Sequence, residues 1–102
     1  MGKGKRARPA HLGKKLRAVR DRFQLSQNEM LRRLQLDDQF TRAELSAYER
    51  GIREPPLGVL LKYSEVSRIW INAFADDGLE LPATVPGRKM HPGVKRKQIR
   101  RR

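Results

Sequence analysis

The sequence predicts an all-α fold, a compact bundle of about five short helices. Three observations point there. Apolar residues recur three and four positions apart along most of the middle of the chain, the period of one helix face. Two Ser/Thr-x-x-Glu boxes precede such stripes, at Ser26 to Glu29 and Thr41 to Glu44. No segment alternates apolar and polar residues in the way a half-buried strand would.

The first helix covers His11 to Phe23, with Leu12, Leu16, Val19 and Phe23 on one face and Lys14, Lys15, Arg17, Arg20 and Arg22 on the other. Pro9 suits a position at or just before its start. Ser26 caps the second helix, Gln27 to about Gln35, with Leu25 placed to staple onto Met30. The stretch Leu36 to Phe40 interrupts the stripe without Gly or Pro. It reads either as an extended turn or as one more turn of the second helix. Thr41 then caps a third helix, Arg42 to Arg50, which Gly51 ends. Pro56 serves as the first residue of a fourth helix carrying Leu57, Leu60 and Leu61. Ile69, Ile71 and Phe74 mark a short fifth helix that stops at Asp76-Asp77-Gly78. Residues Leu79 to Pro86 are expected to lie irregularly on the domain, and disorder is expected beyond Gly87. The organisation is thus a basic flexible arm (1–10), one helical domain (11–80) and a basic disordered tail (81–102). Tyr63 and Trp70 are expected in the core.

At 102 residues the chain has room for one small domain with tails. Its formal net charge of +13 calls for a polyanionic partner, nucleic acid first and anionic membrane second. The charge is unevenly spread. Residues 1–22 hold nine Lys/Arg and one acid, net +8, and residues 88–102 hold eight Lys/Arg and no acid, also net +8. Residues 23–87 hold seven bases and ten acids, net −3. Most of the attraction for a polyanion therefore resides at the two ends, outside the helical core.

Other classes find little support. With no cysteine there is neither a disulfide nor a thiolate zinc site. No apolar run is long enough for a membrane span, and no hydrophobic region follows the basic start as in a secretory signal. A cytoplasmic location is expected. His11 and His91 are far apart in sequence, and no nucleophile–base set, Gly-rich phosphate loop or metal spacing occurs, so no enzyme activity and no cofactor is expected. The pairs Asp37-Asp38 and Asp76-Asp77 read as turns and caps.

Two segments carry a family resemblance. Leu25-Ser26-Gln27-Asn28-Glu29-Met30-Leu31-Arg32-Arg33-Leu34 is similar to the first helix of the helix-turn-helix in the lambda-repressor/Cro-like (Xre-type) DNA-binding family. Leu45-Ser46-Ala47-Tyr48-Glu49-Arg50-Gly51-Ile52-Arg53-Glu54-Pro55 resembles that family's recognition helix and following loop. The likeness spans about His11 to Asp77. The join from Leu34 to Thr41 is longer than the family's short Gly-containing turn, and the basic tail after Gly87 has no counterpart there.

The resemblance implies a bacterial DNA-binding transcriptional regulator, a repressor by expectation. The third helix would enter the major groove of double-stranded DNA, and the chain would act as a homodimer on its operator. Thr41, Arg42, Ala43, Glu44 and Ala47 then fall at the groove-facing start of that helix. Arg42 would pair with guanine or hold a phosphate, and Ala43 and Ala47 would meet thymine methyls. Glu44 would accept from cytosine or simply close its capping box. Gln27 would reach a phosphate or brace the third helix, while Asn28, Arg50 and Arg53 would clamp the DNA backbone. Tyr48 and Glu49 read as structural, Glu49 pairing with a nearby Arg. Lys3, Lys5, Arg6 and Arg8 would add phosphate contacts without sequence preference, Arg6 and Arg8 also suiting a minor groove. Trp70 and Phe74 on the last helix are the expected dimer contact. Two alternatives are an antitoxin that also binds a toxin through the region after Asp77, and a protein-interaction module that no longer reads DNA.

Overall fold

The computed structural model describes residues 9–83 and 91–95. Five helices follow in order: α1 (Leu12–Phe23), α2 (Gln27–Arg33), α3 (Arg42–Glu49), α4 (Leu57–Ser67) and α5 (Ile71–Ala75). The all-α expectation holds at that level, and both capping boxes form. Ser26 Oγ accepts from Glu29 N while Ser26 N donates to Glu29 Oε1 at 2.7 Å. Thr41 and Glu44 repeat the exchange, with Thr41 N donating to Glu44 Oε1 at 2.8 Å. Pro56 is the N-cap of α4 rather than its first residue, because its ψ of 156° is extended.

The apolar stripes converge on one core. Leu16, Met30, Leu34, Leu45, Tyr63 and Phe74 are almost entirely removed from solvent. Tyr63 lies edge-on to Phe74, their ring centroids 6.3 Å apart. α1 crosses the end of α3 so closely that a Cβ on Gly13 would stand 2.7 Å from Glu49 O and 2.8 Å from Tyr48 O. Trp70 departs from expectation. It is half exposed, because it sits as the extended N-cap residue of α5, outside the helix face that buries Ala73 and Phe74.

The helix ends share one device. After α1, α2, α3 and α4 the chain turns through a single left-handed residue, namely Gln24, Gln35, Gly51 and Arg68. In each case the next amide reaches back to a carbonyl five residues earlier, as Leu36 N does to Leu31 O at 2.9 Å. Only one of the four is a glycine.

The segment between α2 and α3 is therefore a turn and not added helix. Leu36 is buried after the Gln35 reversal, Phe40 N donates to Leu36 O, and the Phe40 ring meets Tyr48 edge-on at 6.3 Å.

Two expectations for the C-terminal region are corrected. Leu79–Glu80 is a short strand, β1, paired antiparallel with Val94–Lys95, β2. Residues 91–95 are thus not a disordered tail. His91 N donates to Arg68 O, and Trp70 N donates to His91 O, both at 2.7 Å. Gly93 makes this strap possible: its φ is +98°, and a Cβ there would lie 2.8 Å from the Ala73 Cβ. Two-residue strands give no alternating pattern, so the apolar period carried no sign of them. The other residues beyond Gly87 lie outside those described.

Candidate nucleic-acid interface

α3 is gripped on its inner side and open on its outer side. Leu45, Tyr48 and Glu49 are buried. Arg42, Ala43 and Arg50 are exposed, and Ser46 and Ala47 are half-buried. At about 100° per residue, Arg42, Ser46 and Arg50 form one row along the outer face, with Ala43 and Ala47 beside it.

Glu49 sets the helix in place. Its carboxylate takes a two-pronged contact from Arg20, Nε to Oε2 at 2.7 Å and Nη2 to Oε1 at 3.0 Å. Gln27 Nε2 adds a third donor at 3.2 Å, and Arg20 Nη1 also holds Leu25 O at 2.9 Å. One acidic side chain thus ties α1, the start of α2 and the end of α3. The hydrogen bond to Glu49 raises the pKa of Arg20 above its usual value, against the opposing effect of burial. Of the two roles expected for Gln27, the structure shows the brace.

A depression of roughly 290 Å³ opens beside the α3 row, lined by Gln27, Arg42, Ala43, Ser46 and Arg50. It brings together four of the expected DNA-contacting residues and adds Ser46. The i, i+4, i+8 spacing of Arg42, Ser46 and Arg50 was the signal for it, overshadowed by the two arginines. Two guanidinium groups flanking a hydroxyl and an amide provide donors suited to phosphate oxygens or purine edges.

The remaining expected residues are placed differently. Thr41 is exposed, but its main chain and hydroxyl serve the cap. Glu44 Oε1 is engaged by Thr41, so the capping role expected for it is the one seen. Asn28 is exposed in the first turn of α2, outside the depression. Arg53 lies past the end of α3, in a cleft shared with Pro9, Leu12 and Gly51. Lys3, Lys5, Arg6 and Arg8 lie outside the described residues.

Among the described residues no group of three or more His, Asp or Glu side chains is placed to hold a metal ion. No helix among them is long and apolar enough to cross a membrane. No protein-family model matches the chain, and no curated protein or solved structure matches it either.

Proposed function

We propose that this chain is a sequence-specific DNA-binding transcriptional regulator, acting as a repressor, with α2 and α3 as a helix-turn-helix and the outer face of α3 in the major groove. One observation carries the reading. The outward row of α3 is cationic and small, with Arg42 and Arg50 flanking Ser46 beside Ala43 and Ala47, while its inner side is locked by Glu49. A groove-reading helix needs that combination: donors and small apolar groups outward, and a rigid mount that holds them in register. Of the ten acids in the slightly acidic middle of the chain, the three on α2 and α3, Glu29, Glu44 and Glu49, are engaged in caps and in the Arg20 pair.

The reading extends to a homodimer on two half-sites. Of the two residues expected at the dimer contact, Phe74 is fully buried and drops out, while Trp70 stays accessible, as do Leu57 and Leu61 on α4. The antitoxin alternative relies on the region after Asp77 as a protein-binding segment. There β1 is already paired with β2 and Leu81 packs on the core, so DNA reading has the better support.

The test is selection of bound sites from random duplex DNA at a stated salt concentration. A consensus recovered by the wild type, and blurred in Arg42→Ala, is the expected result. Binding with no consensus would sink the sequence-reading role.

A further inference from the structure

The outer face of α4 carries an apolar ridge beside an apolar recess. Leu57 is 66% exposed and Leu61 47%, one turn apart on the same flank of the helix. At about 100° per residue, Gly58 and Lys62 lie on the other flank of that face. There a hollow of roughly 330 Å³ opens between α4 and the turn that joins α2 to α3. Its walls include Leu36, Phe40, Gly58 and Val59, and Gln39 and Lys62 are its polar members.

Gly58 is the informative residue. Its φ lies outside the left-handed region, and no described atom stands within 4 Å of where a Cβ would be. Neither the backbone nor a neighbour in the same chain therefore requires a glycine, the poorest helix former after proline. What the missing side chain does is keep the hollow open. Leu57 and Leu61 stand at the same height along α4 as Gly58 and Lys62, so ridge and recess lie side by side.

Charge is laid out in the same way. Lys62 and Glu65 share this face, their own contact stretched to 4.0 Å, with side chains 40% and 69% exposed. A patch that holds a ridge, a recess and both signs of charge at one level is self-complementary. An interface between identical subunits about a two-fold axis needs that property. An axis running along α4 rotates the leucine flank of each copy over the recess of the other. It also sets Lys62 of each helix within a turn of Glu65 of the other. A partner of different sequence would need only one half of this arrangement.

We propose that the outer face of α4 binds a second copy of this chain, with Leu57 and Leu61 of each copy seated in the recess beside Gly58 of the other. The inference gives a surface to the homodimer of the DNA-binding reading, and rests on that reading only for the two half-sites. It places the contact on α4 instead of at Trp70. The 11 residues of α4 span about 16 Å, so the contact is small and the dimer is weak and concentration-dependent.

The experiment is sedimentation equilibrium of the full chain without DNA, over a range of protein concentrations and in enough salt to screen the net charge of +13. A monomer–dimer equilibrium is expected for the wild type. Leu61→Glu, at an exposed position, is expected to weaken it about tenfold or more. Gly58→Gln fills the recess and is expected to weaken it by a similar factor. At dilution, where the chain is monomeric, the same substitution should raise the melting temperature, because the new side chain favours helix and its Cβ meets nothing in its own chain. Those opposite signs separate an interface from a merely structural position. Lys62→Glu should also weaken the dimer, and adding Glu65→Lys should restore it. Circular dichroism checks that every variant folds. A wild type that stays monomeric at every concentration overturns the proposal. So does a dimer undiminished in folded Leu61→Glu and Gly58→Gln, and one that Trp70→Ala alone dissolves belongs to the junction of α4 and α5 instead. Because association is measured without DNA, a chain that dimerises as expected but selects no consensus site would remove the DNA-binding reading and uphold this one.

Discussion

Single side chains divide into those that build the mount and those that face outward. Arg20 and Glu49 are the clearest builders, with side chains 14% and 3% exposed. Arg20→Ala leaves the Glu49 carboxylate buried with only Gln27 against it, and should cost about 3 kcal/mol or more in urea unfolding. Arg42 is the clearest outward residue. Arg42→Ala should leave stability unchanged and reduce discrimination at one base pair by about 1–3 kcal/mol, read from relative affinities for single-base variants of the selected site. Asp77 connects protonation to folding. The amide of Ala10, then that of His11, holds its carboxyl below the ordinary value of 3.8. The folded-state pKa is thus lower than the unfolded one. Its stabilisation is full well above the unfolded value, from about pH 5 upward, and fades as pH falls through the folded value. Melting temperatures followed from pH 5 to pH 2 should drop less steeply in Asp77→Asn than in the wild type. Equal slopes would show that another acid dominates.

At the level of elements, the helix ends are the informative features. The starts of α2 and α3 were legible, because Ser26-x-x-Glu29 and Thr41-x-x-Glu44 satisfy orphan amides from within the local sequence. The ends of α1 at Phe23 and of α5 before Asp76 were legible too, but the left-handed residues that turn the chain after α1, α2 and α4 were not. Gln24, Gln35 and Arg68 adopt the left-handed conformation usual for glycine because the buried residues after them, above all Leu36 and Ile69, gain more from packing than the backbone loses. Gln35→Gly should therefore raise stability by up to about 1 kcal/mol by relieving the side-chain penalty, measured by denaturant titration. A loss of stability would mean that the Gln35 side chain makes a contact that outweighs the strain. The same turn explains the long connection between α2 and α3. It is closed by Leu36 and Phe40, so its length does not loosen the mount of α3.

At the level of the whole molecule, charge and fold are arranged separately. The helical core supplies shape and the outward row, while most positive charge lies toward the ends. Replacing the five Lys/Arg of residues 96–102 by Gln should weaken binding to all sequences alike. Where all five meet phosphate, the slope of log K against log salt should shrink by about 4 to 5. An unchanged slope would show that these residues do not touch DNA. Substitution is the right probe here, because deleting everything after Gly87 would also remove β2 and the His91 contacts to Arg68 and Trp70.

Local chemistry was enough to predict five helices and the capping boxes of α2 and α3, since each depends on residues within two turns of one another, and the outward row of α3 follows from the same period. The resemblance added the expected positions of the DNA contacts, and five of them, Gln27, Arg42, Ala43, Ala47 and Arg50, fall on or beside that row. Tertiary structure alone decided the rest. It buried Phe74 and left Trp70 exposed, because the chain is extended at the junction of α4 and α5. It assigned Gln27 to Glu49, a partner 22 positions away. It also folded residues 91–95 back onto α5 and β1, which no period in the sequence records. Contacts between residues 60 or more apart, such as Ala10 with Asp77, depend on where the chain returns in space, and no local period records them.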